Sequence, residues 1–418
     1  MDKVRLLPTS PLQQVYINNN NNSNNGRGRM SFIRRLGVGC IILAALGLLY
    51  VPAYHSAQGP LFGIGEVSPP AESLGGGSNY LDSTVVQISG WTFNTSRNVN
   101  LYINPDNNTA ITSPELSCGS SPPYLLIIVC SAVGNQKART AIRSTWGSEQ
   151  NLYYLSTSSS SANTTVKVVF LLGESTNDTL NAQILDENYE YGDIIQEKFI
   201  DTYNNLTLKS VMMLKWVTTT CPQATYLMKT DDDMYVNVPA LVKVIKSRPT
   251  SAGTLMGSLI CNARPISDPK NKWYTPKYMF SEKTYPNYLS GTGYVMSLDV
   301  ASKLYKTALK TPLLHLEDVY LTGLCAKKAK LRPVNHPGFS YIPRKFDYCV
   351  LKNSITAHKV DSSGMYEIWN KLQSSNVTCP SSTATSDNSN KKSSSILNRH
   401  GRHINYYLMK KRINNRCS

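Results

Sequence analysis

Residues 226–237 read YLMKTDDDMYVN: a short apolar run, a lysine, three consecutive aspartates and a second apolar run. The first run has the length and composition of a buried strand, and Pro239 just beyond marks the first turn of a helix. Adjacent carboxylates repel one another, and burial raises the cost of each charge. The stretch therefore predicts a strand whose carboxyl end holds acids for a positively charged ligand.

Similar patterns lie before this stretch. The apolar runs PPYLLIIVCSAV at 122–133 and VKVVFLLG at 166–173 are predicted strands, and residues 138–147 and 206–219 have helical periodicity. Strands that alternate with helices are typical of an open α/β sheet, in which ligands bind outside the carboxyl ends of the strands. The aspartates follow a strand directly, so we expect them at that edge.

The charge of the chain is concentrated at its two ends. The formal net charge is +16, of which residues 1–35 hold about +5 and the residues after 388 hold about +8, leaving about +3 between them. A nearly neutral middle argues against nucleic acid as a partner of the folded part. The basic, low-complexity tail at 381–418 is either a disordered appendage or a contact for an acidic partner such as a glycosaminoglycan.

An uncharged apolar stretch at residues 36–54 follows Arg34 and Arg35. At about 1.5 Å per helical residue it can span a bilayer core, and the two arginines predict that residues 1–35 are a cytosolic tail. A cleaved signal peptide is the alternative, but the stretch is long for the apolar part of one and begins late. We expect a signal-anchor helix, with the rest of the chain in the secretory lumen.

Sequons and cysteines fit a lumenal location. Candidate N-glycosylation sites of the form Asn-x-Ser/Thr occur at Asn94, Asn107, Asn163, Asn177, Asn205 and Asn376. Eight of the nine cysteines follow the apolar stretch, which suits disulfides in an oxidising compartment. Spacing does not reveal which of them pair, and the position of Cys130 in a strand-like run is compatible with a free core thiol.

Five blocks of sequence between about residue 120 and residue 365 form an ordered set. They are RTAIRSTW at 139–146, EYGDIIQEKFIDTYNNLTLK at 190–209, YLMKTDDDMYVN at 226–237, YPNYLSGTGYVMS at 285–297 and EDVYLTGLC at 317–325. Together they resemble the successive motifs of the β-1,3-glycosyltransferases, which comprise β-1,3-galactosyltransferases and β-1,3-N-acetylglucosaminyltransferases, with Fringe as a more distant relative. EDVYLTG has one more residue before its glycine than the family's usual EDVYVG, but it keeps both acids.

The resemblance implies a GT-A fold, a Rossmann-like nucleotide-sugar-binding domain, which we place at residues 118–380. It implies transfer of a hexose, with galactose favoured, from a UDP-sugar to a hydroxyl of a glycan on a glycoprotein or glycolipid, in β-1,3 linkage and with inversion. It also implies a single-pass type II Golgi membrane enzyme with its catalytic domain in the lumen. Residues 55–117, rich in Gly, Ser, Pro and Asn, are then expected to form a flexible stem.

The same resemblance assigns roles to the acids. Hard oxygen ligands suit Mn²⁺ or Mg²⁺, and the family pattern assigns Asp233 and His358 to the metal. Asp231 and Asp232 are expected to hold the ribose or the sugar of the donor, or to support the metal indirectly. Asp318 is the expected general base, and its neighbour Glu317 is expected to contact acceptor or donor. A structural histidine, and paired acids that only stabilise a helix N-terminus, are the alternatives.

Arginines, glycines and an aromatic residue complete the candidate site. Arg139 and Arg143 lie on one face of a helix, where they are expected to bind the diphosphate of the donor or, alternatively, to pair with a nearby acid such as Asp193 or Asp201. Gly291 and Gly293 allow close approach of the backbone to a ligand. Trp273 is expected to stack on a sugar face, and packing in the core is its alternative.

Two other functions remain open, besides β-1,3-N-acetylglucosaminyl transfer. A metal-dependent phosphohydrolase would use the same acids, but it would need more clustering than six scattered histidines provide. A catalytically inactive, carbohydrate-binding relative would keep the fold without the chemistry. The presence of Asp233, Asp318 and His358 favours an active transferase.

Overall fold

The computed structural model describes residues 86–92, 94–114, 118, 121–157, 164–343, 348–374, 396–397, 403–404 and 417. The predicted cytosolic tail and signal anchor, residues 1–54, lie outside these ranges. Among the residues that are described, no helix has the length and apolar character needed to cross a membrane.

A mixed sheet of eight strands forms the centre of the described chain. Its strands are β1 (Ala110–Thr112), β2 (Leu125–Cys130), β3 (Val166–Glu174), β4 (Ile194–Ile200), β5 (Tyr226–Asp231), β7 (Leu255–Ile260), β8 (Tyr288–Ser297) and β9 (Val334–Asn335). Their order across the sheet is β1-β4-β3-β2-β5-β8-β7-β9. Strands β4, β3, β2 and β5 are parallel, whereas β8 runs antiparallel to both β5 and β7. The predicted α/β class is confirmed.

Helices cover both faces of this sheet. They are α1 (Asn100–Ile103), α2 (Gln136–Arg143), α3 (Glu149–Thr157), α4 (Asp178–Tyr191), α5 (Leu206–Thr220), α6 (Val238–Lys246), α7 (Leu298–Ala308), a π-helix (Val319–Cys325), α8 (Ala326–Lys328), α9 (Tyr348–Lys352) and α10 (Ser362–Gln373). Helices α5 and α7 and the π-helix contribute to one core, and α2, α6 and α10 contribute to the other. The three helices predicted from periodicity and from Pro239 are confirmed as α2, α5 and α6.

Strand β2 shows why a continuous apolar run forms the middle of the sheet. Its side chains alternate between the two cores, with Leu126, Ile128 and Cys130 in the first and Leu125, Ile127 and Val129 in the second. Successive side chains of a strand point to opposite faces, so a strand covered by helices on both sides has no polar face to expose. Burial of each leucine, isoleucine or valine stabilises the fold by about 1.5–3 kcal/mol.

Part of the predicted stem belongs to the folded domain. Strand β1 pairs with β4 at the sheet edge, and Ile88, Val99 and Ile103 are buried in the core that contains α5. A disulfide joins Cys118 to Cys221 at the end of α5. The folded part is therefore present by residue 86 and does not begin at 118 as predicted. The buried residues are isolated among Asn, Ser and Pro, so composition indicated a linker.

A second disulfide ties a later segment to the domain. Cys261, directly after β7, forms a disulfide with Cys417 in the basic tail, so the tail is covalently attached. Within it, β11 (Ile396–Leu397) pairs with β12 (His403–Ile404). Cys349 also takes part in a disulfide. Among the described residues Cys130 and Cys325 are free and buried, which confirms the reading of Cys130 as a core thiol.

The predicted glycosylation sites differ in accessibility. Asn94, Asn107 and Asn177 are exposed, as a glycan acceptor must be. Asn205 is half-buried, and its side-chain amide donates to the carbonyl of Ile200 at 2.8 Å. Asn163 and Asn376 lie outside the described residues.

Candidate active site

The aspartate triplet lies at the sheet edge that the sequence predicts. Asp231 ends β5 and is opposite Cys130 at the end of β2. Strand β8 runs antiparallel to β5, with Gly293 opposite Thr230, so the SGTG segment near the start of β8 reaches the same edge. All three aspartates are partly exposed there.

A buried lysine lies beneath the acids. Lys229 Nζ donates to Asp231 Oδ1 at 2.6 Å and to the carbonyl of Gly291 at 2.5 Å, and it lies 3.7 Å from Glu317 Oε2. Burial alone would lower the pKa of Lys229, but the carboxylates of Asp231 and Glu317 raise it above its usual range. The ammonium therefore stays charged, and it joins β5, β8 and the segment before the π-helix.

The two acids of the EDV block have different surroundings. Glu317 is buried, its Oε1 accepts from the Tyr294 hydroxyl at 2.5 Å, and burial raises the pKa of Glu317 to about 7 although Lys229 opposes the shift. Asp318 is partly exposed; its Oδ2 accepts the N–H of Gly291 at 3.1 Å, and its Oδ1 accepts the N–H of the next residue at 2.9 Å. Burial also raises the pKa of Asp318, while these N–H groups oppose the shift. Asp318 is the acid of this pair that a substrate can reach.

Gly291 makes this packing possible. A Cβ at position 291 would lie 2.9 Å from Glu317 Oε2 and 3.4 Å from Asp318 Cβ, and contacts under 3.0 Å force a neighbour to move. A Cβ at Gly293 would have its nearest neighbours at 3.6 Å, an ordinary contact. A close approach to the backbone was predicted at these glycines. It occurs at Gly291, where the approaching groups are Glu317 and Asp318 of the chain itself.

Asp232 joins the end of β5 to the end of β2. Its Oδ2 accepts from Ser131 Oγ at 2.7 Å and from Asn135 Nδ2 at 2.9 Å. Burial raises the pKa of Asp232, and these two hydrogen bonds oppose the shift. Ser131 follows β2 and Asn135 precedes α2, so Asp232 fixes the position of this turn.

Arg139 holds the same turn, and Arg143 supports it through Glu187. Arg139 is fully buried, forms two hydrogen bonds with Glu187 at 2.8 and 2.6 Å, and donates to two carbonyls of the turn after β2. Arg143 bridges Glu187 and Asp193 at 2.7 Å each, with its side chain 11% exposed. These contacts favour the alternative of structural ion pairs, with Asp193 as an expected partner, over direct binding of a diphosphate.

Asp233 and His358 are brought together by a second, two-stranded sheet. Strand β6 (Met234–Val236) pairs with β10 (Thr356–His358), and Met234 is opposite His358. His358 Nε2 lies 3.4 Å from Asp233 Oδ2, and His358 Nδ1 lies 2.6 Å from the carbonyl oxygen of Tyr341. That carbonyl requires the proton on Nδ1 and leaves Nε2 facing the carboxylate. Metal-binding histidines commonly have this arrangement.

The chemistry of these two side chains fits a divalent metal that is shared with a substrate. No group of three or more His, Cys, Asp or Glu side chains in the described part of the chain is arranged to hold an ion alone. Asp233 and His358 supply one carboxylate and one imidazole, which suit Mn²⁺ and similar ions. Ions of this kind in nucleotide-binding sites take further ligands from phosphate oxygens and water.

Four site residues have no role predicted from the sequence. Lys229 is a lone charge within an apolar strand. Because a buried lysine is almost always paired with an acid, its position in the sequence could have identified it as part of the site. Ser131 and Asn135 follow β2, at the sheet edge where ligands were expected. Tyr203, just after β4, lies near the site, because the negative charges of Asp318 and Asp231 add to burial in raising the pKa of its hydroxyl; a lone tyrosine after a strand gives no such signal. Trp273 lies in the loop between β7 and β8 and is 47% exposed, so it is not a core residue.

Known proteins resemble this chain over most of its length. Residues 137–337 match the galactosyltransferase family model. The chain is 36% identical over 309 residues to β-1,3-galactosyltransferase 1 of Mus musculus and of Homo sapiens, covering 74% of this chain and 91% of each relative. The chain belongs to the β-1,3-galactosyltransferase family. β-1,3-Galactosyltransferase 2 of Homo sapiens is 38% identical over 270 residues, which cover 63% of this chain and 61% of that protein. The predicted family and the enzyme class, a glycosyltransferase, are confirmed.

Solved structures align only weakly with this galactosyltransferase-family enzyme. The bifunctional glycosyltransferase WbbM is 10% identical with a TM-score of 0.33, covering 63% of this chain and 52% of that chain. A glycosyltransferase involved in glycosylation of the major capsid of PBCV-1 is 11% identical with a TM-score of 0.33, covering 60% and 100%. TM-scores of this size do not establish a shared fold, so the fold is defined by the strand order of this chain alone.

Replacement of Gly291 should displace the acids of this galactosyltransferase-family enzyme. Gly291→Ala places a methyl group against Glu317 and Asp318, and we expect the kcat of sugar transfer to fall about ten- to a hundredfold because misplaced catalytic groups lose rate steeply. The matched variant Gly293→Ala should stay within about twofold of the unaltered enzyme. UDP release measures the rate, and thermal unfolding by circular dichroism reports whether each variant is folded. Similar rates for the two variants would contradict the role of Gly291.

Proposed function

We propose that this chain transfers galactose from UDP-galactose to a glycan hydroxyl in β-1,3 linkage, with inversion at the anomeric carbon and with a divalent metal. The observation that carries the proposal is that one sheet edge brings together the aspartate triplet, His358 and Asp318. Family membership supplies the reaction class, and the printed names of the relatives favour galactose and a β-1,3 linkage. A GT-A-like fold and a place in the Golgi membrane as a type II protein are part of the same proposal.

The donor would lie over the ends of β2 and β5. Nucleotides bind outside the carboxyl ends of parallel strands in α/β sheets, and at this edge Asp232, Ser131 and Asn135 form a hydrogen-bonded group. Carboxylate oxygens accept hydrogen bonds from hydroxyls, so Asp231 and Asp232 are suited to hold the ribose or the sugar of the donor. Arg139 and Arg143 would act indirectly, since they fix the turn that carries Ser131.

Asp233 and His358 would hold the metal. Bound there, a divalent cation would neutralise the charge that develops on the UDP leaving group. The chain contributes the placement of both ligands: the Tyr341 carbonyl orients the ring of His358, and the pairing of β6 with β10 sets the position of Asp233. Burial alone would lower the pKa of His358, but the Asp233 carboxylate raises it, which indicates that this place stabilises positive charge.

Asp318 would accept the proton of the acceptor hydroxyl. In an inverting displacement the acceptor oxygen attacks the anomeric carbon from the side opposite to UDP, and a carboxylate within hydrogen-bond reach takes its proton. Asp318 is partly exposed and is held by the N–H of Gly291. Glu317 faces Tyr294 and Lys229, so its role is to position this segment, and its expected contact with acceptor or donor stays a prediction.

A donor screen tests the proposal directly. The purified full chain is incubated with Mn²⁺, a β-N-acetylglucosaminide or a β-galactoside acceptor, and UDP-galactose, UDP-N-acetylglucosamine or UDP-glucose in turn. We expect turnover with UDP-galactose and a β-1,3 product identified by NMR. A preference for UDP-N-acetylglucosamine would assign the chain to the other branch of the family. Tight binding of UDP-sugars without any transfer or hydrolysis would favour the inactive relative.

Removing the proposed base should abolish transfer without weakening donor binding. Asp318→Asn should lower kcat by about a hundred- to ten-thousandfold, the usual contribution of a general base, while the donor KM changes little. Glu367→Gln, which removes an exposed carboxylate on α10, is the control and should keep full activity. Full activity in Asp318→Asn would exclude Asp318 as the base.

The pH profile gives an independent check on Asp318. Only the ionised carboxylate accepts a proton, so activity should fall as pH decreases through the pKa of Asp318, which burial raises above its usual range. The acidic limb should therefore lie at a higher pH than an exposed aspartate would give. Other titratable groups that interact with Asp318 are Glu317, Lys229, Tyr203, Tyr285 and Tyr288. A profile unchanged in Asp318→Asn would assign the limb to Glu317, whose pKa burial raises to about 7, because the lysine and the tyrosines titrate at much higher pH.

Metal dependence should follow Asp233 and His358. EDTA should abolish transfer and Mn²⁺ should restore it, and Asp233→Asn or His358→Gln should weaken Mn²⁺ binding at least tenfold, on the order seen when metal ligands or their supports are lost. Asp186→Asn, an exposed acid on α4, is the matched control. Binding is measured by electron paramagnetic resonance of free Mn²⁺ in the presence of UDP. Transfer that survives both EDTA and Asp233→Asn would overturn the metal site.

A further inference from the structure

The loop between β7 and β8, residues 261–287, lies beside the candidate base. Strand β7 ends and strand β8 begins at the edge where Asp231 and Asp318 lie, because β8 runs antiparallel to both β5 and β7. His315, two residues before Glu317, is buried, and it lies near enough to the backbone of Tyr274 in this loop for that backbone to oppose the lowering of its pKa by burial. The loop therefore rests on the segment that carries the EDV acids.

One lysine and two aromatic residues form an exposed group at this place, which we term the Lys272 cluster. Lys272 Nζ lies 4.7 Å from the ring centroid of Trp273 and 5.5 Å from that of Tyr203. The two rings are 47% and 46% exposed, and Trp273 lies near enough to the Tyr203 hydroxyl to lower its pKa. The cluster is thus a built surface of two aromatic faces and one cation, since residues from two separate segments converge to form it.

The electrostatic environment places the cluster next to the base. Burial raises the pKa of the Tyr203 hydroxyl, the neighbouring Trp273 side chain lowers it, and the negative charges of Asp318 and Asp231 raise it again. Tyr203 follows the end of β4, which is parallel to β3, so it belongs to the same edge by topology as well.

The loop carries an excess of exposed positive charge. Its exposed charged residues are Arg264, Lys270, Lys272, Lys277 and Lys283, opposed by Asp268 and Glu282. The ion pairs found among the described side chains include none of these seven. A loop with five exposed cations against two exposed acids provides local attraction for an anion that the carboxylates of the site alone would repel.

The segments beside the cluster and the proposed metal site pack into different cores. The π-helix that begins after Asp318 and helix α5 that follows Tyr203 belong to one core, whereas β6, which follows Asp233, and β10, which ends at His358, pack with the other. The cluster is therefore associated with the segment of the base rather than with the strands of the proposed metal ligands.

We propose that the Lys272 cluster is part of the acceptor site and selects glycan acceptors that carry an acidic group, a carboxylate or a sulfate, on or next to the reacting sugar. This inference rests on the proposed transferase function and adds the acceptor class to it. The faces of Trp273 and Tyr203 contact the apolar CH surface of a sugar ring, as aromatic side chains do with large amphipathic ligands. The Lys272 ammonium then pairs with the acid.

The test compares matched neutral and acidic acceptors. The full chain is assayed with UDP-galactose and a β-N-acetylglucosaminide, its 6-O-sulfate, and disaccharides in which N-acetylglucosamine is linked to glucose or to glucuronate. We expect a KM roughly two- to fivefold lower for the acidic member of at least one pair, the range of an exposed ion pair. Comparison of the sulfate pair with the glucuronate pair shows whether the site recognises a sulfate or a carboxylate. High salt should remove the preference.

Two lysine variants identify the residue responsible. Lys272→Gln should abolish the preference, so that the acidic and neutral members of each pair have equal KM values, while Lys277→Gln, which alters an exposed lysine of the same loop, should retain most of the preference. Trp273→Ala should raise the KM for neutral and acidic acceptors alike. Equal KM values for both members of each pair in the unaltered enzyme, or a preference that survives Lys272→Gln, would overturn the inference.

Failure of the proposed function gives a different result. Absence of transfer to every acceptor would refute the transferase activity, and the inference is then decided by binding. Saturation-transfer NMR with the same four saccharides should show stronger signals for the acidic ones with the unaltered chain and equal signals with Lys272→Gln. Equal signals with the unaltered chain would refute the acidic acceptor site by itself.

Discussion

One buried ammonium group holds the two halves of the candidate site together. Lys229 contacts Asp231 at the end of β5 and the carbonyl of Gly291 on β8, and it lies 3.7 Å from Glu317. A buried charge destabilises the fold by several kcal/mol unless it is paired, so these groups must stay close to one another. Part of the positive charge that the aspartate triplet requires is therefore supplied by the chain itself, from the lysine two residues earlier.

This pairing divides the triplet into three separate tasks. Asp231 compensates Lys229, Asp232 fixes the turn after β2 through Ser131, and Asp233 alone faces His358. The turn is stabilised from the other side by Arg139, and breaking such a buried ion pair by removing one partner typically destabilises a protein by about 3–5 kcal/mol. The charged residues around the site are thus largely structural, which leaves one carboxylate of the triplet for an external cation.

The sequence was sufficient for the central strands β2, β3 and β5 and for helices α2, α5 and α6, because apolar periodicity reports burial directly. The sequence did not predict that β8 runs antiparallel to its neighbours, because the glycines of SGTG weaken the pattern of a strand. The reason for a glycine at position 291 is visible only in the structure, where Glu317 and Asp318 pack against it. The role of the two arginines of α2 was ambiguous in the sequence, because arginines that bind a phosphate and arginines that pair with Glu187 have the same spacing on a helix. The packing of residues 86–114 depends on three isolated apolar residues, which composition does not distinguish from a linker.

The position of Gly291 links the aspartate strand to the acids of the EDV block. Its carbonyl binds Lys229, which is paired with Asp231, and its N–H binds Asp318, which precedes the π-helix. A carboxylate acts as a general base only if it is held within hydrogen-bond reach of the acceptor hydroxyl. A single residue without a side chain fixes the spacing of these groups, because a Cβ there would lie 2.9 Å from Glu317 Oε2. The geometry of the proposed reaction would then depend on the backbone of β8 as much as on the acidic side chains.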